Sequence, residues 1–103
     1  MSVDEHYQRY QDLQAYVGWT EADAASVARI ADRLDPHLPG IIDNFYEEIE
    51  RHEATRAVIT GGAAQVTRLK GTLLAWLREL LAGRYDAAYV ERRWQVGRRH
   101  VEL

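Results

Sequence analysis

The sequence predicts an all-helical fold on three observations. Apolar residues recur at helical spacing through most of the chain, and residues that start and stop helices punctuate it at intervals. No stretch alternates apolar and polar residues between turn dipeptides, so strands are not supported. At 103 residues the chain is one small domain, and its 47% apolar and 28% charged residues suit a modest core with a solvated face.

The first segment, Val3 to Val17, is rich in Tyr and Gln and closes at Gly18. Thr20-Glu-Ala-Asp23 matches a capping box, and downstream Val27, Ile30, Ala31 and Leu34 fall on one helical face. Asp35-Pro36 reads as an N-cap with proline at the first helical position. The helix expected there carries Ile41, Ile42, Phe45, Tyr46 and Ile49 on one side, with Asp43, Glu47, Glu48 and Glu50 mostly opposite. A short irregular or helical stretch, Glu53 to Thr60, ends at Gly61-Gly62. The longest helix, about Ala63 to Ala82, has an apolar arc of Val66, Leu69, Leu73, Leu74, Trp76, Leu77, Leu80 and Leu81, wide enough for two neighbours. Gly83 is expected to cap it, and Asp86 to open the final helix.

Composition narrows the function classes. With no cysteine, disulfides, thiolate metal sites and cysteine nucleophiles are excluded. No apolar run approaches membrane-spanning length, and Met-Ser-Val-Asp-Glu-His lacks an export signal, so a cytoplasmic protein with no membrane partner is expected. A net charge of −3 argues against nucleic acid as a partner. Arg84, Arg92, Arg93, Arg98 and Arg99 are interrupted by Glu91 and Glu102 and read as helix-end cations. His6, His37 and His52 do not pair at i, i+3 or i+4, and Glu47, Glu48 and Glu50 read as an exposed face. No phosphate loop, nucleophile elbow or metalloprotease motif is present, and the chain is not expected to be an enzyme.

The remaining candidate is His100, on an apolar face of the final helix. At about 100° per residue, Tyr89, Val96 and Leu103 flank it on one side and Val90, Trp94, Gly97 and Val101 on the other. Gly97 removes a side chain one turn away, which would admit something flat. Arg93 intrudes on the arc, where a cation suits a carboxylate. Neutral histidine is a common metal ligand, yet on spacing alone a partly packed terminal His100 beside a solvated Arg93 is the simpler account.

Leu69-Lys-Gly-Thr-Leu-Leu-Ala-Trp-Leu-Arg-Glu-Leu-Leu-Ala-Gly-Arg-Tyr-Asp86, followed by Tyr89-Val-Glu-Arg-Arg-Trp-Gln-Val-Gly-Arg-Arg-His100, resembles the globin domain of globin-coupled sensors. Asn44-Phe-Tyr-Glu-Glu-Ile49 resembles the same family one helix earlier. The resemblance runs from about Thr20 to the end. It implies a globin-like fold (residues 19–103) with an extra N-terminal helix (residues 1–18), haem b as cofactor, and sensing of dioxygen or another diatomic gas. It implies His100 as the iron ligand and Tyr46 as a distal hydrogen-bond donor. Leu69 would stand where many globins place a distal histidine, with Thr72 one turn on. Leu73, Val96 and Gly97 would complete the contacts, and Arg93 would meet a propionate. The residues alone leave alternatives: Tyr46 as a core aromatic, and Thr72 bonded back to its own helix.

Members of that family continue with His-x-x-Ile-Gly-Leu and two further long helices, whereas this chain reads His100-Val-Glu-Leu103. The expectation is therefore a C-terminally incomplete globin-like domain without its output module, completed by haem or by a homodimer. A haem-free dimerisation or interaction module is the alternative.

Overall fold

The computed structural model describes residues 2–102, and Leu103, expected beside His100, lies outside them. Six α-helices and one 3-10 turn account for most of the described chain, and no strand occurs among the described residues. Helix α1 spans Val3–Val17; the Ser2 hydroxyl accepts from the Glu5 N–H at 3.2 Å, and Gly18 ends the helix at φ 76°. Helix α2, Glu21–Leu34, opens on the expected capping box. The Asp23 carboxylate accepts from the Thr20 N–H at 2.8 Å, and the Thr20 hydroxyl from the Asp23 N–H at 3.4 Å.

Asp35-Pro36 departs from the expectation. Asp35 does not cap a new helix: Asp35–His37 form a 3-10 turn that runs from the end of α2 straight into α3, Leu38–Arg51. Proline removes an N–H and crowds the preceding turn, and tightening to 3-10 accommodates this without breaking the rod. The Asp35 carboxylate, freed from capping, accepts from Arg78 Nε at 2.8 Å and ties the joint to α5. The short α4, Glu53–Arg56, precedes the long α5, Gly62–Leu81, and α6 covers Ala87–Glu102. The Asp86 carboxylate caps α6, accepting from the Tyr89 N–H at 2.9 Å.

Gly83, in the turn between α5 and α6, is fixed by two constraints. Its φ is 76°, and a Cβ there would lie 2.9 Å from the Ala24 carbonyl oxygen of α2. Only glycine permits both the left-handed turn and that close approach.

Two helix pairs carry the packing. Helix α3 lies on α5, where Ile42, Tyr46 and Val66 form the buried centre and Ile49, Ile59, Leu69, Leu73, Leu74 and Leu77 surround it. The first helix lies along the last, α1 on α6, and α2 packs on α5. The predicted face of α3 is only partly used: Ile42 and Tyr46 are buried, while Ile41 and Phe45 are about half exposed, at 52% and 51%. The whole is open. Its radius of gyration is 15.9 Å, against about 13 Å for a well-packed domain of this length, and one dimension is only 20 Å. No helix among the described residues is long and apolar enough to cross a membrane.

Candidate functional site

The candidate residues fall into two groups on either side of the α5–α6 turn. Tyr46, Leu69 and Leu73 are brought together in the α3–α5 core. Val96, Gly97 and His100 share the outer half of α6 and are exposed. Between the groups stands Arg93.

Tyr46 is 8% exposed, with its ring edge-on to Phe45. Burial pushes its phenol above the ordinary tyrosine range, with Lys70 opposing, so it keeps its proton at neutral pH. The hydroxyl makes no hydrogen bond within the described residues, and Leu69 and Leu73 pack against the cluster that contains Tyr46. Thr72, one turn along, is exposed, and its hydroxyl donates to the Arg68 carbonyl at 3.1 Å within α5. That back-bond commits its proton to its own helix.

His100 Nδ1 lies 2.8 Å from the Val96 carbonyl oxygen. A carbonyl only accepts, so Nδ1–H donates and the neutral ring carries its lone pair on Nε2. This is the tautomer of a histidine prepared to ligate through Nε2. A Cβ placed on Gly97 would meet nothing within 4 Å, so the helix is bare one turn below the imidazole.

Arg93 is neither solvated nor free. Its guanidinium carbon lies 5.2 Å from the Trp76 ring centre and 5.3 Å from that of Tyr89, and Nη2 is 3.8 Å from Glu79. Glu79 also accepts from Arg92 Nε at 2.8 Å, so one carboxylate of α5 holds two arginines of α6. Nε and Nη1 of Arg93 are buried without a partner, as is the Trp76 indole N–H. An unpartnered guanidinium edge in an aromatic seat is costly alone and ready for an anion.

These contacts define the geometry of the α5–α6 pair. Arg92 and Arg93 meet Glu79 and Trp76 near the turn, and among the described residues no hydrogen bond or ion pair joins the two helices farther out. The outer half of α6 makes no such contact with α5. Two grooves, of about 360 and 370 Å³, lie elsewhere, against Asp35 and Arg78 and beside Gly61 and Arg68.

Sequence reasoning missed His6 and Glu91. His6, on α1, is 6% exposed, and its Nδ1–H donates to Glu91 Oε2 of α6 at 2.7 Å. Its ring stacks on Trp94 with centres 4.1 Å apart, and Nε2 is buried without a partner. The hydrogen bond from His6 holds the Glu91 carboxyl below the ordinary glutamate range, against a smaller opposing desolvation. The available signal was periodicity: His6 lies one turn before Tyr10, which packs near Tyr89.

A model of the Protoglobin family matches residues 6–103, nearly the whole chain. The chain is also similar to the heme-based aerotactic transducer HemAT of Halobacterium salinarum, at 25% identity over 89 residues, which is 86% of this chain. It spans only 18% of that relative's length. An all-helical chain with a globin-like order of motifs, matched from its first helix to its last by one family, belongs to that family: this chain is a member of the Protoglobin family.

Proposed function

We propose that haem b is held between α5 and α6 and that the chain is a cytoplasmic sensor of dioxygen or a related diatomic gas, acting on an output module rather than as an enzyme. The observation that carries this reading is the His100 imidazole: Nδ1 is occupied by the Val96 carbonyl at 2.8 Å, and Nε2 is free beside the bare backbone of Gly97. The donor set suits the group. Haem iron, when bound, supplies the position at which a diatomic gas is held.

The chain's own residues would divide the work. His100 would ligate through Nε2, and Val96 and Gly97 would lie against the flat face on that side. Leu69 and Leu73 would exclude water from the other side. The protonated Tyr46 phenol would donate a hydrogen bond in an otherwise apolar setting, where a partial negative charge is most strongly stabilised. The unpartnered nitrogens of Arg93 suit a propionate carboxylate. The register of the α5–α6 contacts supports the pairing. Arg92 and Arg93 lie against Glu79 and Trp76, and continuing outward in antiparallel sense brings His100 to the level of Leu69 and Thr72.

The test is absorption spectroscopy of the haem-reconstituted protein. A Soret band is expected, and His100→Ala should lose the five-coordinate ferrous spectrum. Tyr46→Phe should keep haem and release oxygen about five- to tenfold faster, the equivalent of one hydrogen bond. Unchanged haem uptake and spectra in His100→Ala would remove His100 as ligand.

The open shape favours a second reading, a haem-free homodimerising module. Leu13, Tyr16 and Val17 on α1 and Ile41 and Phe45 on α3 are exposed apolar side chains that a second copy could cover. A colourless, folded dimer whose melting temperature ignores added haemin would establish that reading in place of the first.

A further inference from the structure

We infer that His6 is a positioning residue for α6: through the Glu91 carboxylate and the Trp94 ring, it couples the N-terminal helix to the helix that bears His100. The inference rests on the haem reading for its consequence and on geometry for its mechanism.

His6 is the sole buried polar side chain among the described residues, so its placement is costly unless it does something. Its neighbours make a clamp. Nδ1–H donates to Glu91 at 2.7 Å, and the ring lies on Trp94 at 4.1 Å with a 31° tilt. Glu91 and Trp94 are three residues apart on α6, so a single side chain of α1 grips one turn of that helix from two directions. Elsewhere along these helices and just beyond their ends the contacts are between rings: Tyr10 tilted near Tyr89 at 6.2 Å and Trp19 edge-on to Tyr85 at 5.8 Å. Edge contacts between rings tolerate sliding, whereas a charge-assisted hydrogen bond of 2.7 Å fixes register and rotation.

The grip matters because of where it sits. From Glu91 to His100 is about 13 Å of helix, and the intervening half of α6 is largely exposed. On the α5 side the last polar restraint is Arg93 with Glu79. On the α1 side it is Glu91 with His6. Rotation of the His100 end must therefore either carry α1 with it or break the His6 contact. In a sensor, α1 becomes a lever that follows α6.

The test uses the full chain and three variants. Hydrogen exchange should show amides 94–102 opening about tenfold more readily in His6→Ala and in Glu91→Leu, with His6→Asn recovering most of the protection, because its amide N–H stands where Nδ1–H stood. In haem-loaded protein the iron–imidazole stretching band should shift or split in His6→Ala and return toward its original position in His6→Asn, a change that lowered stability alone would not produce. If His6→Ala unfolds the chain, Glu91→Leu, which removes the acceptor at a partly exposed position, decides the matter. Unchanged exchange at residues 94–102 in Glu91→Leu, or an unshifted band in a folded His6→Ala, overturns the inference. Absence of a Soret band in the parent protein defeats the haem reading instead, and the exchange arm still decides whether His6 holds α6.

Discussion

At the scale of single residues, hydrogen-bond direction decides most of what this chain can do. The Val96 carbonyl selects which nitrogen of His100 is free, and the Glu91 carboxylate does the same for His6. Glu91 gives a pH dependence with a definite sign. Its carboxyl is held below the ordinary value in the folded chain, so the contribution is fully present above the unfolded glutamate pKa and is lost as pH falls through the lowered folded value. Denaturant titrations should therefore find Glu91→Gln less stable than the parent at pH 7, with the two converging as the solution is acidified below the usual glutamate range. Parallel curves across that range would show that His6 does not stabilise the charged carboxylate. His100 stands out in the sequence as a candidate ligand by its place on the last helix, whereas a distal role for Tyr46 comes only from the family resemblance. Thr72 behaves as hydroxyls in helices commonly do, and its local back-bond could be anticipated from residue type alone. His6 was hidden because its partner is 85 residues away, and no local pattern reports so distant a contact.

At the scale of elements, the helix ends show what local sequence encodes. Ser2 and Gly18 bound α1, and the Thr20–Asp23 box opens α2, because these residues satisfy backbone groups within their own turn. The Asp35-Pro36 joint was misread for the same reason. Aspartate before proline is compatible with a cap and with a tight turn inside a continuing rod, and the Arg78 contact that favours the second comes from another helix. The wide arc of α5 was legible, and it does meet both α2 and α3. Half exposure of Ile41 and Phe45 was not, since periodicity gives a face but not how much of it is covered. Gly83 is the most demanding position in the connections. Gly83→Ala should cost about 2 kcal/mol in urea unfolding, from a left-handed conformation imposed on an L residue and from the contact with the Ala24 carbonyl. A loss below half that figure would mean that α2 and the turn separate easily.

At the scale of the whole molecule, the chain is a thin assembly of two helix pairs with little material completely enclosed. The buried set is small and centred on Ile42, Tyr46 and Val66, so net stability is modest, and anything that binds the folded form selectively will raise it. Family membership and all-helical architecture could be read from sequence because both are distributed over many positions. The openness could not, because it depends on which helices pack on one another, and the α5–α6 ion pairs are confined to the end near the turn.

Those contacts gather at the root of α6, so on the proposed reading a planar guest would enter between α5 and α6 from the outer end without any helix first having to melt. Loading of the finished protein should then be governed by encounter. Stopped-flow mixing should show an association rate that climbs in proportion to haemin, with no plateau of the kind a slow gate imposes.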